Sequence, residues 1–260
     1  MIHPTAILHA NAKIDASVEI GPYCVIDECV TVGPDCVLAS HVHLTGHTTI
    51  GAKNRFHAGA IIGDAPQDLK YADEPTRVRI GDGNTFREHV TVHRSNSVDE
   101  DTTIGSDNFL MANSHVGHNS HLGNRIILAN GALIGGHVEI HDRVFISGNC
   151  LVHQFVRIGT LSLMQGSAGI SQDLPPFCIS WGVNGLCGLN VIGLRRSDVS
   201  ADERRELKNL YHLLFRSGES LKSAIEIGAQ RFKSESCVEM MKFIGEAKRG
   251  VCRHKARIRD

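Results

Sequence analysis

The chain has 260 residues, with 27 Lys and Arg against 28 Asp and Glu and a formal net charge of −1. This balance argues against a nucleic-acid-binding protein held by bulk positive charge, and a hydrophobic share of 42% excludes a disordered chain. No apolar run approaches the roughly 20 residues of a membrane helix, no secretory signal is visible, and no C-x-x-C pair occurs among the eight cysteines, so we expect a cytoplasmic protein with free thiols.

A large apolar residue recurs at every sixth position through most of the chain. It does so from Ile14 to Ile62, from Ile80 to Val92 and from Ile104 to Ile170. A period of six fits neither an α-helix nor an alternating strand, but it fits a hexad made of a short strand and a turn, and three hexads close one triangular coil. Stacked coils pair in parallel and bury their apolar residues. The sequence therefore predicts a mainly β protein, a parallel β-helix of hexapeptide repeats over residues 1–193.

Two segments interrupt the repeat, near residues 63–79 and 94–103. The period of six resumes in the same register after each one. Both segments are therefore predicted to be loops excluded from the prism. Loops that a rigid core carries at its surface are common places for binding and catalytic residues.

The pattern changes after Pro176, where the repeat stops. A capping-box sequence at Ser200 predicts the start of a helix. A second helix is predicted over about 221–232, and a third is predicted to be capped by Ser236. Residues 194–260 are thus expected to form a small C-terminal α-helical domain.

Several histidines of the repeat are predicted to lie close together. Residues three hexads apart occupy neighbouring coils of one face, and counting up from His118 in such steps gives Gly136 and then Gln154. His137 and His153 lie beside these positions. Such a patch fits an acid–base site with a histidine near neutrality. It also fits a zinc site formed by three histidines across a subunit interface of a trimer, as in the γ-class carbonic anhydrases. Spacing alone does not decide between the two.

A set of short motifs occurs in a fixed order along the repeat. The motifs are Pro66-Gln67-Asp68-Leu69-Lys70-Tyr71, Glu74-Pro75-Thr76-Arg77, Thr91-Val92-His93-Arg94, Asn113-Ser114-His115-Val116-Gly117-His118, Gly135-Gly136-His137, Val152-His153-Gln154-Phe155, Asp173-Leu174-Pro175-Pro176 and Gly188-Leu189-Asn190. Together they resemble the acyl-carrier-protein–UDP-N-acetylglucosamine O-acyltransferases that start lipid A biosynthesis. The resemblance covers essentially the whole chain.

This resemblance implies a left-handed coil, a homotrimer and an enzyme. The implied reaction moves a 3-hydroxyacyl chain from acyl carrier protein to the 3-hydroxyl of UDP-N-acetylglucosamine. The donor's phosphopantetheine is then the only prosthetic group involved. The resemblance implies no metal, no cofactor of the enzyme itself, no nucleic acid and no membrane insertion.

The resemblance also implies a role for individual residues. His118 matches the general base, and the backbone N–H of Gly136 matches the donor that faces the oxyanion. Gly166 falls where the family sets acyl length. The residues that match substrate-binding positions are Gln67, Asp68 and Lys70 at the glucosamine end, His115, His137 and His153 around the sugar and acyl group, and Gln154, Asn190 and Arg196 at the phosphate and nucleotide end.

The sequence departs from the family pattern directly after the predicted base. Asn119 stands where the family usually has Asp, and an amide gives no charge stabilisation, so the base is weaker unless another group compensates. The related N-acyltransferase has the same His-Asn pair, which leaves a 3-amino UDP-sugar open as the acceptor. A γ-carbonic-anhydrase-like zinc enzyme stays open as well. So does a non-catalytic sugar-nucleotide-binding scaffold, if Asn119 marks a degenerate site.

Two further features bear on the partners. Ile192 and Ser197 occupy places where the family can carry a Glu and a second basic residue, so uridine recognition is less well supported than acyl transfer. The basic residues from Lys248 to Arg257 are either a docking site for the acidic carrier protein or a solvated charged end.

Overall fold

The computed structural model describes residues 1–197 and 199–255. Three mainly parallel sheets surround one apolar core, and the fold is the left-handed parallel β-helix that the resemblance implies. The first sheet contains Ile7–Leu8, Val25–Ile26, His43–Leu44, Ile61–Asp64, Thr91–His93, His115–Val116, Leu133–Ile134, Leu151–Val152 and Gly169–Ile170. The second contains Lys13–Ile14, Thr31–Val32, His47–Ile50, Arg77–Ile80, Thr102–Ile104, His121–Leu122, Glu139–Ile140 and Arg157–Ile158. The third contains Glu19–Ile20, Val37–Leu38, Arg55–Phe56, Thr85–Phe86, Phe109–Leu110, Ile127–Leu128, Phe145–Ile146, Leu163–Met164, Cys178–Trp181, Gly185–Leu189 and Arg253–His254.

The repeat register explains the strand pairing. Regular neighbours are three hexads apart, as in the pair Ile7 and Val25. Ile61 pairs instead with Thr91, five hexads on, and Thr91 pairs with His115, four hexads on. These two steps are therefore longer than a regular coil by two hexads and by one hexad. Both excluded loops, at residues 65–76 and 94–101, leave the prism between the first and the second sheet.

The apolar residues of the hexads form the core of the prism. All of those named by the pattern are buried except Ile14, which is half-buried in the first coil, where no complete coil covers it. Phe56 and Phe86 stack inside the prism with ring centroids 4.8 Å apart. Each buried aliphatic side chain contributes roughly 1.5–3 kcal/mol, so the stack of coils is stable although a single coil is not.

Within the described residues, four helices follow the prism. They are α1 (Val191–Arg196), α2 (Ala201–Arg216), α3 (Leu221–Arg231) and α4 (Glu235–Gly245). The predicted cap of α2 is confirmed, since the Ser200 side chain accepts a hydrogen bond from the backbone N–H of Glu203. The predicted cap of the last helix is wrong, because Ser234 occupies the N-cap position. Ser236 lies inside α4 and its hydroxyl donates to Glu203 at 2.6 Å, so it links two helices.

The division at residues 193 and 194 stays a prediction. Near it, α1 already begins at Val191, and a hairpin of Cys178–Trp181 and Gly185–Leu189 extends the third sheet. The strand Arg253–His254 then returns to the same sheet beside Gly185–Leu189. The period of six could not reveal these strands, because they follow the end of the repeat.

Candidate active site

The candidate site lies on the corner between the first and the second sheet. Three turns stack there on successive coils, at 118–119, 136–137 and 154–155. The second residue of each turn has a positive φ, 57° for Asn119, 57° for His137 and 65° for Phe155. Asn tolerates this conformation well, whereas His and Phe in it cost on the order of 1 kcal/mol each. His137 and Phe155 stack with ring centroids 4.6 Å apart, which offsets part of that cost.

Gly136 lies directly against the imidazole of His118. A Cβ at this position would be 2.8 Å from both Cε1 and Nε2 of His118, so no side chain fits there without moving the ring. The backbone N–H of Gly136 makes no hydrogen bond within the described residues. An available N–H therefore lies next to the imidazole, on the wall of a cleft.

The amide of Asn119 fixes the tautomer of His118. The backbone N–H of Asn96 donates to Asn119 Oδ1 at 3.0 Å, and Asn119 Nδ2 donates to Glu100 Oε2 at 2.6 Å. A backbone donor on one side and a carboxylate on the other allow only this orientation of the amide. His118 Nδ1 lies 2.8 Å from Asn119 Oδ1, which is an acceptor, so Nδ1 carries the proton. The lone pair of His118 is thus on Nε2, beside Gly136.

Glu100 joins the histidines of this corner. Its Oε1 lies 3.0 Å from His121 Nε2, and its Oε2 lies 3.6 Å from His137 Nδ1. Burial opposes the ionisation of Glu100, but hydrogen bonds from His121 and Asn119 outweigh it and hold its pKa below the usual value. Glu100 is therefore a carboxylate at neutral pH.

The first excluded loop is tied to the second one. Asp68 Oδ1 accepts the backbone N–H of Lys70 at 3.0 Å, and Asp68 Oδ2 accepts Asn96 Nδ2 at 2.8 Å. These two hydrogen bonds lower the pKa of Asp68. Since Asn96 also donates to Asn119, the loop that carries Gln67, Asp68 and Lys70 is positioned relative to His118.

His115 forms an uncharged part of the wall below His118. Its Nδ1 lies 2.7 Å from the Thr91 hydroxyl, and its ring meets His93 edge-on at 4.8 Å. Burial, with neighbouring His93 and His118, lowers the pKa of His115 to about 4. Burial also lowers the pKa of His93. Both rings are neutral at neutral pH and add hydrogen-bonding capacity without positive charge.

An open cleft of about 590 Å³ runs up the first sheet from these histidines. Its polar lining includes Gln67, His153 and Gln154, together with His115, His118 and Gly136. Leu133 and Leu151 line it further up and are 43% and 55% exposed. Exposed apolar side chains on successive coils form a strip that an extended hydrocarbon chain can cover.

Comparisons with known proteins cover nearly the whole chain. The model of the family "Udp N-acetylglucosamine O-acyltransferase; Domain 2" matches residues 173–252, and that of the bacterial transferase hexapeptide matches residues 101–136. The chain is 43% identical over 258 residues to the acyl-[acyl-carrier-protein]–UDP-N-acetylglucosamine O-acyltransferase of Syntrophobacter fumaroxidans, covering 97% of this chain and 99% of the relative. The chain belongs to the UDP-N-acetylglucosamine O-acyltransferase family.

Other members agree with this assignment. The enzyme of the same description from Thermodesulfovibrio yellowstonii is 42% identical over 255 residues, covering 97% of this chain and 99% of the relative. The solved UDP-N-acetylglucosamine acyltransferase of Francisella novicida has a TM-score of 0.93 and 36% identity, and the match covers 97% of this chain and 94% of that one. These relatives favour the acyltransferase over the carbonic-anhydrase-like and scaffold alternatives.

Six residues matched to the family pattern are not among the residues that line the cleft: Asp68, Lys70, His137, Asn190, Arg196 and Gly166. Asn190 caps α1, accepting from Gly193 at 3.0 Å and donating to the carbonyl of Leu161 at 2.8 Å. Arg196 is exposed at the end of α1. Gly166 is exposed on the corner between the third and the first sheet, with Gly148 O as the nearest atom to a Cβ there, at 3.8 Å. The substrate-binding and acyl-length roles of these residues stay predictions.

Sequence reasoning missed the loop residues that hold Asn119, the hydrogen-bond partner of the base. Asn96 and Glu100 belong to the second excluded loop, whose conformation no period describes. Their polar character and their position just before the resumed repeat were the signals available. Phe155 was missed as the stacking partner of His137, although it follows His137 by three hexads and so lies directly above it.

Three further expectations concern metals, membranes and the basic end. Within residues 1–197 and 199–255, no group of three or more His, Cys, Asp or Glu is placed to hold a metal ion. Among the described helices, none is long and apolar enough to cross a membrane. In the basic end, Lys255 Nζ donates to the carbonyl of Val183 at 2.7 Å. Residues 256–257 of that predicted docking segment lie outside the described residues.

Proposed function

We propose that this chain transfers a 3-hydroxyacyl group from acyl carrier protein to the 3-hydroxyl of UDP-N-acetylglucosamine, the first step of lipid A biosynthesis. The observation that carries the proposal is the fixed tautomer of His118, with an unprotonated Nε2 beside the available N–H of Gly136. A base and an oxyanion donor at one point are the two groups that direct acyl transfer needs.

The reaction begins with proton transfer to His118 Nε2. The sugar 3-hydroxyl loses its proton to this nitrogen as its oxygen attacks the thioester carbonyl. The new C–O bond forms while the carbonyl electrons move onto oxygen, giving a tetrahedral oxyanion. The Gly136 N–H donates to that oxygen. Collapse breaks the C–S bond, and protonated His118 returns its proton to the leaving thiolate of phosphopantetheine.

The substrates occupy different parts of the site. The acyl chain lies along the strip of Leu133 and Leu151, which are exposed beside the base. The sugar lies beside the first excluded loop, where Asp68 and Lys70 meet its hydroxyl groups. The enzyme works as a homotrimer, in which the neighbouring subunit covers the open side of the cleft.

The carrier protein docks on a basic cluster above the cleft. We define this cluster as Arg195, Arg204, Arg205, Lys208 and Arg216, which line a hollow of about 470 Å³ between α1 and α2. An acidic carrier is attracted by such a cluster, and the attraction weakens as salt screens it. Lys208→Glu is therefore expected to raise the KM for acyl carrier protein and to leave the KM for the UDP-sugar unchanged.

An acyl-transfer assay with the purified chain tests the function. It contains 3-hydroxyacyl carrier proteins of several lengths, a chelator, and either UDP-N-acetylglucosamine or its 3-amino analogue. We expect turnover of the hydroxyl sugar with chelator present. Turnover of the amino sugar alone would show a 3-amino acceptor, and binding without turnover would show a scaffold.

A further inference from the structure

We propose that Glu100 supplies the negative charge for the general base His118, acting through the side-chain amide of Asn119. The inference rests on the proposed function and names a further residue for that reaction. Glu100 is a positioning residue, because it touches Asn119 and not the reacting atoms. The carboxylate that the family pattern places after the base is here provided by the second excluded loop.

The contacts form an unbroken chain of hydrogen bonds. His118 Nδ1–H donates to Asn119 Oδ1 at 2.8 Å, and Asn119 Nδ2–H donates to Glu100 Oε2 at 2.6 Å. Asn119 is fully buried, so its amide has no competing water on either side. Two aligned donors and two aligned acceptors polarise one another, and the negative end of the chain is the carboxylate.

Charge at the end of this chain matters most when His118 is protonated. The imidazolium formed during attack is stabilised by an anion at the far end of this hydrogen-bond chain, and the neutral imidazole is not. Glu100 is 41% exposed, so solvent screens part of the effect. The remaining effect acts on the transition state more than on substrate binding, which predicts a change in kcat and little change in KM.

The position of Glu100 also explains why residue 119 is an amide. An Asp at 119 would place its carboxylate within hydrogen-bond distance of Glu100 Oε2, where two anions cannot both stay ionised. Asn separates the two groups and presents an acceptor to His118 and a donor to Glu100. Asn119 and Glu100 therefore act together in place of the single Asp of the family pattern.

Other charged and titratable groups around His118 define the background for a pH measurement. They are His137, whose ring meets His118 edge-on at 5.2 Å, and His93, His115 and Asp68, with Glu100 and His121 beyond Asn119. The substitutions below change none of these except Glu100.

Glu100→Gln tests the charge, because Gln keeps an oxygen that accepts from Asn119 Nδ2. We expect kcat to fall about tenfold with KM for the UDP-sugar within about twofold. The acidic limb of the kcat/KM profile is expected to move about one pH unit lower, since His118 becomes less basic. The matched control is Glu88→Gln, since Glu88 is 38% exposed and also faces a histidine, His57, at 3.5 Å. This control should leave both readouts unchanged.

A second substitution tests the relay directly. Asn119→Asp alone is expected to give no gain, because the new carboxylate shares a proton with Glu100. Asn119→Asp combined with Glu100→Gln is expected to restore kcat to within about threefold of the wild type. The acidic limb of its kcat/KM profile should return to the wild-type pH. This rescue cannot come from a purely structural role of Glu100, and it remains informative if Glu100→Gln alone is poorly folded.

The outcomes separate this inference from the proposed function. A wild-type chain with no acyl transfer contradicts the proposed function. An active wild type with a Glu100→Gln variant that matches Glu88→Gln in kcat and pH profile overturns the relay and leaves the function standing. A several-fold gain from Asn119→Asp alone also overturns the relay, because it would show that no carboxylate was serving His118.

Discussion

Two corners of the same prism carry stacked rings on left-handed turns, and only one of them is part of the site. On the corner between the third and the first sheet, Tyr23 and His41 stack at 5.1 Å, both with φ of 58°. On the corner between the first and the second sheet, His137 and Phe155 stack at 4.6 Å with similar φ. The backbone and the stacking are nearly the same in both places.

The difference lies in the excluded loops. Both loops leave at the second corner, and they bring Asp68, Asn96 and Glu100 to the histidines there. His41 and Tyr23 are exposed on a corner without a loop. The repeat therefore places turns at equivalent positions on every coil, and the loops supply the polar groups that make some of these positions part of the site.

Removing the base from the corner with the loops should have the largest effect on the rate. His118→Ala is expected to lower kcat by roughly 10²–10⁴-fold, because it removes the Nε2 lone pair that takes the hydroxyl proton beside the Gly136 N–H. Melting temperature and subunit assembly should not change. The control is His41→Ala on the corner without loops, which should retain the wild-type rate. Retention of more than about a tenth of the rate in His118→Ala would contradict a base role.

Adding one methyl group beside the base should have the next largest effect. Gly136→Ala places a Cβ 2.8 Å from His118 Nε2 and Cε1, so the ring must move and kcat should fall by about a hundredfold. Gly148→Ala is the matched control, since it is also a first turn residue and its Cβ comes no closer than 3.3 Å to Asn130 O. Equal rates for the two variants would show that the position of His118 tolerates displacement.

The acyl length of the preferred donor should depend on Gly166, which lies on the corner without loops. Gly166→Met fits without a clash, since the nearest atom to a Cβ is 3.8 Å away. If residue 166 limits the acyl chain, the preferred donor becomes shorter by about two to four carbons while kcat on that donor stays within about threefold of the wild-type value. Competition between donors of different lengths measures this, and an unchanged preference would place the limit elsewhere.

The smallest effect is expected from weakening the anchor of the second loop. Asp101 bonds Arg77 at 2.6 Å and also Arg79, and its side chain is 15% exposed. Asp101→Asn should lower the free energy of unfolding by only about 1 kcal/mol, since Arg79 is 56% exposed and the pair is partly screened. The KM for the UDP-sugar should rise, because Asn96 of the same loop holds Asp68, which lies beside the sugar.

The pH dependence of this last effect follows from the pKa of Asp101. Burial raises that pKa, but hydrogen bonds from Arg79 and Arg77 outweigh burial and lower it below 3.8. Because this pKa is lowered on folding, ionised Asp101 stabilises the folded state fully at pH values above 3.8. That stabilisation is lost as the pH falls through the pKa of Asp101 in the folded state. The difference between wild type and Asp101→Asn should therefore be constant near neutrality and vanish in acid. A difference that persists in acid would rule out the ion pair as its cause.

Most of the prism could be predicted because its signal is periodic. The spacing of six placed Ile134 and Val152 in the core and Gly136 beside His118, since each coil repeats the geometry of the last. The loop contacts of Asn96 and Glu100 could not be predicted, because they depend on tertiary hydrogen bonds and on no repeat. The strand Arg253–His254 was missed for the same reason, since four helices separate it in sequence from Gly185–Leu189, the strand that it pairs with.

The position of the proton on the His118 ring is the sharpest test of its role as the general base. Spectra of the chain labelled with ¹⁵N-histidine, compared with those of His118→Gln, isolate the signals of this ring at about pH 8.5, well above the ordinary histidine pKa. We predict a proton on Nδ1 and none on Nε2, because Asn119 Oδ1 is held as an acceptor by Asn96 and Glu100. A proton on Nε2 would contradict this prediction, since the nitrogen that faces the substrate would then have no lone pair to accept the hydroxyl proton.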